Sequence, residues 1–177
     1  MAEAKKIPVT LLLGGIAALG MIALTIIDWR AGVEAFLGNY WMYLFPFVVA
    51  ILATIVEKRR KGGVLSFRDA LKPAFGVIVL SLAIQTLFTW ILVKWIDPAF
   101  GRKLPDAVLV KIAATYRRFG APEDEVKRAV DAAKGTDPFS FISMFKGLAL
   151  NYIVGFIVAV LIAAIIGQRI LRPPAKA

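Results

Sequence analysis

The sequence predicts an all-α integral membrane protein: a four-helix bundle with an external amphipathic helical hairpin between helices 3 and 4. Three observations carry this. Of 177 residues, 59% are hydrophobic and mean hydropathy is +0.75, whereas soluble domains hold about 45 to 50% apolar residues. Four charge-poor runs each reach the roughly 20 helical residues that cross about 30 Å of hydrocarbon. The segment between the third and fourth runs carries helix signals of its own.

The runs are Ile7–Ile27, Phe36–Val56, Ala74–Ile96 and Gly147–Gly167, and their one ionisable side chain is Lys94, near an end where it can snorkel. Lys5 and Lys6 ahead of the first run imitate a signal peptide. That run is longer than the usual apolar stretch of about 7 to 15 residues and lacks a small-residue cleavage site, so a retained helix is expected. The spans are expected to form one membrane domain over residues 1–177.

Orientation follows from lysine and arginine, which concentrate on the cytoplasmic side. With both termini inside, the cytoplasmic pieces hold 11 basic residues in 33 positions and the outer pieces 10 in 58. Trp29, Trp41, Trp90 and Trp95 then fall toward the outer interface, with Tyr40, Tyr43 and Tyr152. The expected topology is multi-pass with both termini on the cytoplasmic side, N-in and C-in. The net charge of +10 needs no nucleic acid, because Lys58, Arg59, Arg60, Lys61, Arg68 and Lys72 form a cytoplasmic belt for anionic lipid.

Between the second and third runs, Gly62-Gly63 ends a helix and Ser66 with Asp69 begins another. Leu65, Phe67, Ala70 and Leu71 give it an apolar side, predicting a short interfacial helix that turns inward at Pro73. Its alternative role is to dock a cytoplasmic partner. The external segment 97–146 is too long for a plain connection. Pro105 is expected to open a helix to Phe119, with Val108, Leu109, Ile112, Tyr116 and Phe119 on one side. Pro122 opens a second to Lys134, with Val126, Ala129, Val130 and Ala133 as its stripe, and Asp137-Pro138 starts a run that feeds the fourth span.

On the fourth run Gly147, Asn151, Gly155, Ala159, Ala163 and Gly167 recur every four residues. Small residues let helices approach closely in lipid. The partner is expected to be a helix of this chain, such as the first with Gly14 and Ala18, or else a separate subunit. Gln85 lies mid-span on the third run, with Thr86 and Thr89 nearby, and is expected to hydrogen-bond a neighbouring helix or, with Asn151, to line a polar cleft. Asn39-Tyr40 and Asn151-Tyr152, with Ile27-Asp28-Trp29 and Ile96-Asp97-Pro98, form an echo that fits two repeated helical hairpins.

The absence of histidine and cysteine excludes Ser/His/Asp and Cys/His nucleophile pairs, disulfides and ordinary zinc ligation. Glu123-Asp124-Glu125 reads as first-turn acids complementing a helix dipole, with Glu123–Lys127 and Asp124–Arg128 as i,i+4 pairs. No catalytic, cofactor-binding or metal-binding residue is nominated, and no cofactor is expected. Proton-coupled pumps and ion carriers place ionisable groups at the midplane, so with no acidic, arginine or histidine side chain in the spans a secondary transporter is disfavoured.

The stretch Gly63-Val64-Leu65-Ser66-Phe67-Arg68-Asp69-Ala70-Leu71-Lys72, with Trp95-Ile96-Asp97-Pro98-Ala99-Phe100 after the third run, resembles domain of unknown function 4199, small four-helix membrane proteins of Bacteroidota. The likeness covers nearly the whole layout, including the long segment before the last helix. It implies no activity and no catalytic residue. It further implies gene neighbourhoods with polyprenyl-phosphate-type family 2 glycosyltransferases, and so an envelope-biogenesis partner.

The leading expectation is a non-enzymatic accessory or scaffold subunit of the bacterial inner membrane that holds a membrane-protein partner or itself through the external amphipathic helices, with the small-residue face of the fourth span as a secondary surface. The contrasting class is a lipid- or solute-handling protein, a small transporter or oligomeric channel with Gln85 and Asn151 at its cleft. An enzyme using external carboxylates is a third and lesser class.

Overall fold

The computed structural model describes residues 8–167, and within them every regular element is helical. The order is α1 (Val9–Ala31), α2 (Val33–Gly38), a 3-10 turn (Tyr40–Tyr43), α3 (Leu44–Arg60), α4 (Phe67–Ile91), a π-helical turn (Leu92–Ile96), α5 (Pro98–Arg118), α6 (Glu123–Ala133) and α7 (Phe141–Ile166). Four helical stretches are long and apolar enough to cross a membrane: Val9–Ala31, Tyr40–Arg60, Phe67–Ile96 and Phe141–Ile166. The chain has the helices of a multi-pass membrane protein. Ile7, Lys5, Lys6 and the basic C-terminal tail lie outside the described residues.

The boundaries depart from the sequence reading in informative ways. The second run is not one helix, because the chain breaks at Asn39, whose side chain binds the Asp28 carboxylate at 2.8 and 3.0 Å. The inward turn at Pro73 does not occur. Ser66 starts α4, its Oγ accepting from the Asp69 amide at 3.2 Å, and the helix continues through Pro73 into the span. The apolar side of that first turn has a protein partner, with Leu65 and Ala70 buried against Ala163 of α7. This removes the reason to lie flat on lipid.

Pro105 is interior to α5, not its first residue. The helix starts two turns earlier, where Asp97 accepts from the Phe100 amide at 2.9 Å and Pro98 occupies the first position, which needs no N–H. Likewise the run from Asp137 begins as a turn and becomes helical at Phe141, so Gly147 lies inside α7.

The described residues divide into two compact units, one of residues 8–24, 40–85 and 148–167 and one of 25–39 and 86–147. In the first, Val9, Ala17 and Met21 of α1, Val49, Ala50 and Ala53 of α3, Ala74, Val77, Ile78 and Leu82 of α4, and Leu148, Ala159 and Ile162 of α7 share a core. Small residues set its spacing. A Cβ on Gly155 would stand 2.6 Å from Ile78 Cγ2, and one on Gly14 2.8 Å from Leu80 Cδ2. Gly14 and Gly155 are therefore both turned to α4.

The second unit centres on Val93, Phe100 and Leu104, covered by Trp29, Val33, Phe36, Leu37 and Phe139. Phe36 meets Phe100 edge-on at 5.2 Å and Phe139 at 6.3 Å. A side chain on Gly101 would overlap the Val93 carbonyl oxygen, so α5 leaves the π turn at backbone contact. Beyond it α5 and α6 lie against each other, with Val126 buried and Arg117 holding Glu123 through two bonds of 2.7 and 3.0 Å.

Candidate functional site

Two polar constellations stand out, one in each unit. In the second unit, the ends of α1 and α4 bring together residues that looked like a repeat. Trp29 Nε1 donates to Asp97 Oδ2 at 3.1 Å, while Asp28 beside it holds Asn39. The echoing Ile-Asp-Trp and Ile-Asp-Pro segments are partners in one hydrogen-bonded junction. The Phe100 amide, helped by the Trp29 indole, holds the Asp97 carboxyl below the ordinary carboxylate range.

A lowered folded pKa contributes stability above the unfolded value that is lost as pH falls through the folded one. Thermal unfolding followed from pH 7 downward should therefore show an acid-side loss below about pH 4, and Asp97→Asn should flatten part of that slope. An unchanged slope would remove the Asp97 junction as its source.

Nearby, Lys94 reaches Asp137 at 2.5 Å, and Asp137 also accepts from the Phe139 amide at 2.8 Å. Burial pushes the Asp137 carboxyl up, but the Lys94 and Phe139 bonds outweigh it and the net direction is down. Lys111 reaches the Leu37 carbonyl. Two open cavities, of about 360 and 480 Å³, share Pro105 and Asp137. Among the described residues no group of three or more acidic, histidine or cysteine side chains could hold a metal ion.

In the first unit, the ends of α1, α3, α4 and α7 gather at one pole. Lys58 Nζ donates to the Ile166 carbonyl at 2.8 Å, so this member of the basic belt closes the C-terminus of α7. Lys61 lies 3.9 Å from Glu57 and 3.4 Å from Asp69, which also pairs with Lys72 at 3.4 Å. Arg59, Arg60 and Arg68 are exposed. An open cavity of about 360 Å³ lies among these groups, walled by Val9, Glu57, Arg60, Lys61, Asp69 and Lys72.

The other sequence-nominated positions separate. Gly155, Ala159 and Ala163 are buried, while Asn151 is exposed and a Cβ on Gly147 would meet nothing within 4 Å. Successive four-residue steps drift about 40° around a helix of 3.6 residues per turn, so the five steps from Gly147 to Gly167 turn through about 200° and the six residues cannot share one face. Gly167, at the far end, lies against the backbone of Phe67. Gln85 is buried at 7% exposure and has an interaction partner. No fully buried side-chain nitrogen or oxygen among the described residues lacks a hydrogen-bond partner. In the acidic run, Asp124 pairs with Arg128 at 3.2 Å, whereas Glu123 is taken by Arg117 and not by Lys127.

The model of a family described as "Protein of unknown function (DUF4199)" matches residues 10–167. The chain belongs to this family. The match takes in all four long apolar helices and the α5–α6 segment, and the family's description carries no activity. No curated protein and no solved structure matches the chain.

Asp28, Trp29, Asn39 and Asp97 are the residues that sequence reasoning undervalued. Their signal was present as polar residues at the ends of apolar runs, where each reads equally well as a cap or a loop residue.

Proposed function

We propose that this DUF4199 member is a non-enzymatic accessory or scaffold subunit of the bacterial inner membrane, N-in and C-in, using the α5–α6 segment to hold a partner. The observation that carries this is the exposed end of α5. Phe119 is 84% exposed and Tyr116 43%, beside Arg117 and Arg118, while the rest of the same stripe, Val108, Leu109 and Ile112, is half-buried. Aromatic and arginine side chains are the residues that anchor protein interfaces. On the small-residue face of α7, Gly155 lies against Ile78 of the same chain, which favours the external segment as the partner surface. An envelope-assembly partner such as a polyprenyl-phosphate glycosyltransferase is the class that the family resemblance implies.

Orientation is supported by the first unit, where the start of α1, the 57–73 connection and the end of α7 share one pole dense in lysine and arginine. The chain has no cysteine, so Thr136→Cys introduces a single thiol at an exposed position. An impermeant maleimide added to intact spheroplasts should label it, and protection until lysis would reverse the orientation.

The function is tested by mass-spectrometric identification of proteins that co-purify in mild detergent with the tagged chain at native expression. A stoichiometric membrane partner, lost in the Tyr116→Ser/Phe119→Ser variant, is the expected result. A chain that purifies alone, or a partner indifferent to those substitutions, contradicts the reading.

A further inference from the structure

We propose that the charged cavity at the pole of the first unit binds the headgroup of an aminophospholipid, with Arg60 facing the phosphate and Glu57 the ammonium. The proposal rests on the chain being a membrane protein and not on the accessory role. Five ionisable side chains line the cavity. Asp69 is already shared by Lys61 and Lys72 at 3.4 Å each. The Arg60 guanidinium has no hydrogen-bond or ion-pair partner among the described residues, and the Glu57 carboxylate has one ion pair, to Lys61 at the outer limit of 3.9 Å.

The two least engaged charges are thus of opposite sign and three residues apart on α3. Such a spacing puts side chains on one helix face with Cβ atoms about 5 to 6 Å apart, close enough for an arginine and a carboxylate to pair. They face the same cavity instead. A zwitterion whose phosphate and ammonium are joined by two carbons satisfies both, whereas a simple anion leaves Glu57 opposing it.

The wall beyond the charges favours a lipid over a soluble ester. Pro8, just ahead of α1, lines the cavity and its carbonyl accepts from the Leu12 amide at 3.2 Å, and Leu12, Ile16 and Leu19 follow along that side of the helix at 49%, 49% and 68% exposure. An acyl chain extending from a headgroup in the cavity meets this apolar stripe, which is continuous with it on one helix.

The test is native mass spectrometry of the delipidated full-length protein titrated with phosphatidylethanolamine and, separately, phosphatidylglycerol of identical acyl chains. Wild-type protein should bind the ethanolamine lipid about tenfold more tightly. Glu57→Gln should erase that preference, Arg60→Gln should weaken both lipids, and Arg59→Gln, outside the cavity, should change neither. Equal binding of the two lipids by wild-type protein, or an intact preference in Glu57→Gln, would overturn the proposal in favour of a nonspecific basic belt. Binding of chain-free glycerophosphoethanolamine as tight as that of the lipid would instead make this a soluble-ester site, also overturning it. The wild-type comparison needs no variant to fold.

Discussion

Gly101→Ala is expected to destabilise the second unit by about 3 kcal/mol, the upper range for forcing extra volume into packed structure. The added methyl would overlap the Val93 carbonyl oxygen and stand 3.1 Å from the Val93 carbonyl carbon. Both are backbone atoms, and neither can rotate aside. Val93 belongs to the π-helical turn, whose last residue passes directly into the Asp97 cap of α5. Relief would require displacing α5 and with it Phe100 and Leu104, which are buried on Val93. Thermal unfolding in detergent, read by far-ultraviolet dichroism, measures the loss. Gly147→Ala is the control, since nothing lies within 4 Å of the new methyl and alanine is the better helix former by about 1 kcal/mol. Equal melting temperatures for the two variants would mean that α5 does not approach the turn this closely.

The second large effect is expected from Gly155→Leu, at about 2 to 3 kcal/mol, because four carbons must enter where a single Cβ already comes within 2.6 Å of Ile78 Cγ2. Asn151→Leu, one step earlier in the same four-residue series, should be tolerated because that side chain is exposed. The contrast tests the register of α7 on α4. Similar losses at both positions would mean that a second surface covers Asn151, and equal tolerance would mean that the Gly155 face is not packed. The outcome also bears on partner binding, because a Gly155 variant that loses a partner only when it unfolds has no direct role in the interface.

Membrane character and the number of long apolar helices were legible in composition and run length alone, since crossing hydrocarbon requires about 20 apolar residues whatever surrounds them. Helix ends were less legible. Proline lacks an N–H and marks a helix boundary on sequence alone, yet Pro105 and Pro73 are both accommodated inside helices. At Pro73 the deciding fact is distant in sequence: Leu65 and Ala70 find Ala163 almost a hundred residues later. No local signal encodes that contact.

The same division runs through the candidate sites. Sequence alone determined that charge gathers in residues 57–72, that small residues recur on α7, and that no histidine or cysteine chemistry exists here. Tertiary structure alone decided which of those groups remain free to act. It uses Lys58 on the end of α7, couples Lys61 and Lys72 through Asp69, and leaves Arg60 and Glu57 facing one cavity. It also made partners of Asp28 with Asn39 and Trp29 with Asp97, across 11 and 68 residues. The physical reason is that hydrophobicity and helix periodicity are properties of neighbours along the chain, whereas the pairing of a polar group depends on which helix end reaches it in space.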